Sequence, residues 1–249
     1  MLQFIKIGSG CLFDEKGEID YKTLRKKARE IESLDYGNVL VVSGAIALGK
    51  KMRGEKRSNA DLDAVELQGY ACTGQIELMD VYRSLFNKDV AQLLLTEYDL
   101  KHRNHVKDLI CHNIKNGVIT LVNYNDGVDF KQLRKDNDTL AAKLLTYCNG
   151  DRLVILGRTY DGLKDKEGGI VERVTAIDRK LYDMCDGKSF HGNGGFKTKL
   201  DAAKMVLGAG KEMLVGNIGY SLQELIEGSV QRTLFKAYAG KQLEDEVRA

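Results

Sequence analysis

Two clusters of short polar side chains flank the segment from Val122 to Asp138, which reads VNYNDGVDFKQLRKDND. Asn123, Asn125 and Asp126 stand at one end, and Asp136, Asn137 and Asp138 at the other. The apolar run before them, Gly117 to Val122, predicts a buried strand. Short carboxylates and amides at a strand end hold polar substrates and orient cations. Turn chemistry accounts for the same residues equally well, because Asn, Asp and Gly dominate turns. The rest of the chain has to decide.

Lys6 lies inside an apolar strand, next to Gly8 and Ser9. Burying an unpaired ammonium is expensive, so this lysine needs a partner unless it snorkels from a strand edge. A second lysine closes the stretch His191-Gly192-Asn193-Gly194-Gly195-Phe196-Lys197-Thr198-Lys199. Its glycines let backbone N–H groups approach an anion, and a helix predicted from Leu200 adds its N-terminal dipole. Phosphate binding is the favoured reading, with Lys199 placed to reach the phosphate; a flexible surface loop is the competing one.

Three other patterns carry less. Gly8-Ser9-Gly10 begins like a dinucleotide fingerprint, but Phe13 stands where the third glycine belongs and a turn follows instead of a helix. Gly44 to Lys50 fits GxxxxGK after a strand, yet Lys51 replaces the Ser or Thr that a P-loop needs for magnesium. Its Ala-Ile-Ala-Leu interior reads as a helix turn facing a core. His102, His105 and His112 share one face of a predicted helix. Lysines crowd them and no carboxylate is suitably spaced, so a solvated face is the better reading than a metal site.

These residues need a scaffold, and the pattern supplies one. Strands are predicted at 2–8, 39–42, 90–95, 118–122, 153–156, 171–174, 212–215 and 233–235. Helices are predicted at 21–34, 60–86 with a break near Gly69–Gly74, 104–115, 139–147, 177–182, 200–207 and 222–227. This alternation predicts an α/β fold with a mainly parallel sheet. Ligands gather at the carboxyl ends of such strands, and Gly8, Ser43, Asn123 and Gly157 all follow or end one. The 249 residues read as one domain over 1–240 and a polar tail over 241–249. A net charge of +2 gives no global field to steer nucleic acid or a membrane surface. No apolar run nears the ~20 residues of a membrane span, and no leader is visible. Five scattered cysteines without a CxxC pair fit reduced thiols in the cytoplasm. With no proline in the chain, its 26 glycines must supply the punctuation.

Taken together, Lys6-Ile7-Gly8-Ser9, Ser43-Gly44-Ala45-Ile46-Ala47-Leu48-Gly49, Leu94-Leu95-Thr96, Asn123-Tyr124-Asn125-Asp126, Asp136-Asn137-Asp138-Thr139-Leu140, Gly194 to Lys199 and Thr233-Leu234-Phe235 resemble the amino-acid kinase family. They resemble most its branch acting on the side-chain carboxylate of glutamate. The resemblance spans about residues 4–235 and implies a three-layer αβα sandwich. It implies ATP-dependent phosphorylation of the γ-carboxylate of L-glutamate to L-glutamyl 5-phosphate, the first step of proline biosynthesis, with magnesium entering with ATP. An acceptor of another kind, or a sensor without catalysis, is the alternative.

By the same resemblance, Lys6 and Lys199 contact the phosphates and Asp138 holds both lysines. Ser43, Asp126, Asn137 and Asn123 bind the amino acid. Gly8, Asn193, Gly194, Gly195, Phe196, Lys197 and Thr198 line the nucleotide site with the two lysines, and the protein supplies no metal ligand. A homo-oligomer, dimer or tetramer, is expected, with no nucleic-acid or membrane partner. The C-terminal PUA domain of many relatives is not expected within this chain. Tyr124 stands where the family usually has Glu, on what reads as the acceptor side. The loop 157–162 runs one residue longer than usual, so no individual nucleotide contact is carried over there.

Overall fold

The computed structural model describes residues 1–102, 105–129, 133, 135–185 and 195–237. Asn193, Gly194 and the tail 241–249 lie outside these residues. The strands are β1 (Leu2–Ile7), β2 (Gly37–Val42), β3 (Val90–Leu95), β4 (Ile119–Tyr124), β5 (Arg152–Gly157), β6 (Arg173–Val174), β7 (Glu212–Asn217) and β8 (Arg232–Phe235). They form one sheet in the order β3-β4-β2-β1-β5-β7-β8-β6. Every pairing is parallel except β7 with β8. Central β1, β2 and β5 are buried along almost their whole length, as strands covered on both faces must be.

The helices are α1 (Tyr21–Ser33), α2 (Ala45–Met52), α3 (Ala64–Arg83), α4 (Glu97–His102), α5 (His105–Lys115), α6 (Asn137–Cys148), α7 (Arg179–Met184), α8 (Gly195–Gly208) and α9 (Leu222–Glu227). Alternation along the strands creates two apolar cores. Ile5, Ile7, Leu40 and Val42 face α1, α2, α3 and α9 through Leu24, Ile31, Leu48, Leu78 and Leu225. Phe4, Val39, Val41 and Ile155 face α5, α6 and α8 through Ile110, Leu144, Leu145, Leu200 and Val206. The result is the expected three-layer αβα sandwich. Among the described residues no helix is long and apolar enough to cross a membrane. All five cysteines are free thiols.

Four elements depart from expectation. α3 runs without a break through Gly69 and Gly74, because Gly74 is a packing position rather than a breaker. α4 follows β3 directly, with Thr96 and Asp99 bonded to each other at its start. His102 lies in α4, and His105 and His112 lie in α5. α6 starts at Asn137, where the Asp136 carboxylate accepts the Thr139 N–H at 2.7 Å. Gly195 to Lys199 lie in α8, so they form helix rather than loop.

Candidate active site

β1, β2, β4 and β5 are parallel, so their carboxyl ends share one edge of the sheet. Lys6 points from β1 to the face covered by α6 and α8, the side of Phe4. There it meets Asp138, the second residue of α6: Lys6 Nζ lies 2.7 Å from Asp138 Oδ1. Lys199, in the second turn of α8, places its Nζ 3.2 Å from Asp138 Oδ2. The Thr198 hydroxyl donates to the same Oδ2 at 2.8 Å. All three charged side chains are buried. Burial pushes the Asp138 carboxyl up, but the Lys6 and Lys199 ammoniums outweigh it, aided by Thr198, and hold it well below the usual carboxylate range. Burial pushes Lys199 down, and Lys6 adds to this against the pull of Asp138. One carboxylate between two lysines leaves a fixed surplus of one positive charge at the edge of the sheet.

Tyr160 completes this half. Lys199 Nζ sits 4.9 Å from the centre of its ring, and Phe196 meets the same ring edge-on at 6.0 Å. Gly157 makes room for it, since a Cβ there would lie 2.1 Å from the Tyr160 ring. Nothing in the sequence pointed to Tyr160, because it lies in the lengthened loop. Arg158, in the same loop, donates to the carbonyls of Gly10 and Cys11 and to Asp20 Oδ2. It thereby ties the turn after β1 to the start of α1. Gly8 lies beside the lysine: a Cβ on it would be 3.7 Å from Lys6 Nζ. Lys197 is exposed and faces a cavity between α7 and α8.

The other half is built of amides. Ser43 follows β2 and its hydroxyl donates to the Ile7 carbonyl at 3.1 Å. Gly44 follows at φ 122°, a left-handed conformation that suits glycine, and opens α2 without a side-chain cap. Asn137 Nδ2 donates to the Val42 carbonyl at 2.7 Å and to Asn123 Oδ1 at 2.9 Å. Asn123 Nδ2 donates in turn to Gln75 Oε1 at 2.8 Å. Gln68 Nε2 donates to the Asp126 carbonyl at 2.9 Å, fixing the backbone that carries the Asp126 carboxylate. Burial pushes that carboxyl up to about 6. Gln68 and Gln75 lie seven residues apart on one face of α3, a spacing visible in the sequence but only informative once α3 is known to pass behind β4.

The remaining candidates fall elsewhere. Tyr124 is buried in the core on the opposite face of β4, and its hydroxyl donates to Glu97 at 2.9 Å. Its ring points away from the Asn123 side chain, because neighbours along a strand point to opposite faces. Lys50 binds the Arg57 carbonyl and Asn59 Oδ1 instead of facing the sheet edge. Gly49 serves helix packing, since a Cβ there would lie 2.0 Å from the Tyr70 carbonyl oxygen. His105 and His112 are exposed. Among the described residues no cluster of His, Cys, Asp and Glu is arranged to hold a metal.

The sequence profile described as the amino acid kinase family matches residues 1–217. The chain belongs to that family. It is 36% identical over 253 residues to the glutamate 5-kinase of Alkaliphilus metalliredigens, covering 94% of each chain. It is 33% identical over 230 residues to that of Pelagibacter ubique, covering 86% of this chain and 62% of the relative. In three dimensions it resembles the UMP kinase of Ureaplasma parvum, with a TM-score of 0.62, 16% identity and coverage of 95% of this chain and 100% of the other. That last likeness concerns the fold alone.

Proposed function

We propose that the protein is a glutamate 5-kinase, transferring the γ-phosphoryl group of ATP to the γ-carboxylate of L-glutamate. The observation that carries this is the buried Lys6–Asp138–Lys199 arrangement, whose Asp138 directly follows Asn137 of the Asn123–Asn137 amide pair. The names of the relatives support it. A glutamate side chain has a pKa near ~4.3 and is already ionised at neutral pH, so the nucleophile needs no general base. The obstacle is repulsion between an anionic carboxylate and an anionic phosphate. Phosphoryl transfer is therefore mainly positioning and charge neutralisation.

The residues divide accordingly. Lys6 and Lys199 stabilise charge on the transferred group, and Asp138 orients them without taking a proton. A preorganised donor of this kind is worth ~3–4 kcal/mol in the transition state. Ser43, Asn137 and Asn123 frame the amino acid, and the Asp126 carboxylate pairs with its ammonium. The uncapped start of α2 adds dipole to hold the reacting carboxylate. Gly8 and Gly195 to Thr198 border the polyphosphate, and Asn193 and Gly194 belong to the same proposal. Asp138 is already engaged by both lysines and Thr198, which leaves it unsuited to a metal. Magnesium fits as an ion carried on the ATP oxygens, where it supplies further charge neutralisation.

The reading makes residues 1–240 one kinase domain, acting in the cytoplasm as a homo-oligomer. Incubation with ATP, magnesium, L-glutamate and hydroxylamine tests the activity. Glutamyl hydroxamate should form; a signal no greater than that without glutamate would refute the proposal. A panel of other carboxylates, carbamate and phosphate esters, read by ADP release, identifies an alternative acceptor.

A further inference from the structure

We propose that Gln75 is a positioning residue for the amino-acid acceptor, setting the orientation of two amides it never shares with the ligand. The inference deepens the reading of the acceptor site given above and rests on it. Gln75 Oε1 receives the Asn123 Nδ2 hydrogen at 2.8 Å, which fixes the direction in which the Asn123 amide faces. Its Oδ1 then receives both the Tyr124 N–H and Asn137 Nδ2, each at 2.9 Å. Asn137 Nδ2 also donates to the Val42 carbonyl, so both of its hydrogens are spent. What Asn137 has left is an acceptor oxygen. An acceptor oxygen on the amino-acid side of the proposed site selects a primary ammonium and disfavours an anion at that position.

Two observations separate this role from ordinary packing. Gln75 Nε2 is buried and has no hydrogen-bond partner among the described residues, an unsatisfied donor that an apolar residue would not carry. The neighbouring Gly74 brings α3 against α2: a Cβ on Gly74 would lie 1.9 Å from the Ala45 carbonyl oxygen. Gln75 is thereby held at a fixed distance from the Ser43–Ala45 turn, while Gln68 on the same face holds the Asp126 backbone. One face of α3 thus backs the whole acceptor segment.

The test replaces Gln75 with Met, which keeps the length and removes the acceptor. Hydrogen exchange of the Asn137 side-chain amide, followed by NMR, should accelerate about tenfold, the effect of losing one hydrogen bond in the relay. KM for glutamate should rise about tenfold, with kcat and KM for ATP within about twofold of wild type. Gln75→Glu, which keeps an oxygen facing Asn123, should restore most of the glutamate KM. Gln75→Ser replaces Gln75→Met if the latter loses its cooperative fold. Unchanged Asn137 exchange, an unchanged glutamate KM, or equal rises for both substrates would overturn the proposal. If the wild type phosphorylates another acceptor instead of glutamate, the glutamate reading fails. The KM split is then read on that acceptor, and the exchange result stands on its own.

Discussion

Asp138 is the residue on which both halves of the site depend. Replacing it by Asn leaves two buried ammoniums facing each other without their counter-ion. Removing one member of a buried ion pair costs ~3–5 kcal/mol. Asp138→Asn should lose roughly that much stability in urea titration, together with turnover. Its folded pKa lies below the ordinary value. The stability it contributes is therefore complete above the ordinary carboxylate range and is lost as pH falls through the depressed value. Asp126 shows the opposite sign. Burial raises it to about 6, so what it contributes to stability is present at low pH and lost as pH rises through that value. Binding of the acceptor ammonium needs the carboxylate and strengthens over the same range. The kcat/KM for glutamate should rise through about pH 6 by loss of one proton. That limb should vanish in Asp126→Asn and be missing from kcat/KM for ATP. Sequence reasoning found Lys6 because a lysine in an apolar strand demands a partner. It did not show that Tyr124 packs into the core opposite the Asn123 side chain, because strand facing depends on register, which a single run of residues does not fix.

At the level of elements, α2 and α3 decide how the acceptor side is built. They touch backbone to backbone at Gly49 and Gly74, where a Cβ would lie 2.0 Å and 1.9 Å from carbonyl oxygens of Tyr70 and Ala45. The paired glycines at 69 and 74 looked alike in the sequence and suggested a broken helix. The structure separates them, since a Cβ on Gly69 meets nothing within 4 Å. Gly69→Ala should therefore stabilise the protein by about 0.5–1 kcal/mol through helix propensity. Gly74→Ala should destabilise it by about 1–3 kcal/mol and raise the glutamate KM by shifting α2. Denaturant midpoints and acceptor kinetics on the two variants check this contrast. Strand order and helix packing explain why the difference was hidden: both glycines have the same local sequence signal, and only a neighbouring helix distinguishes them. The early start of α8 was hidden for a related reason. Gly195 reads as loop by propensity, yet it lies in a helix whose Leu200 and Val206 pack into the core.

For the whole molecule, alternation of strand and helix made the layered fold legible, including the shared carboxyl edge where the candidate residues meet. The strand order was not legible, because parallel pairing is decided by long-range contacts rather than by local runs. Since both half-sites are built from elements of the central sheet, their ligands should stabilise the fold as one unit. A ligand at one hundred times its dissociation constant adds ~2.7 kcal/mol, which for a chain of this size is about 5–10 °C in Tm. Thermal unfolding with ATP and glutamate, separately and together, measures this; the absence of any shift with glutamate would count against the acceptor assignment. The first turn of α6 has a wider consequence. On the proposed reading Asn137 serves the amino acid and Asp138, the very next residue and the partner of Lys6, serves the phosphates. The interval between the two recognition points is thus set by one peptide unit and does not depend on any movement between domains. A tethered inhibitor joining an amino-acid head to a polyphosphate needs a bridge no longer than the phosphoryl group in transit. A longer linker forces one end off its anchor.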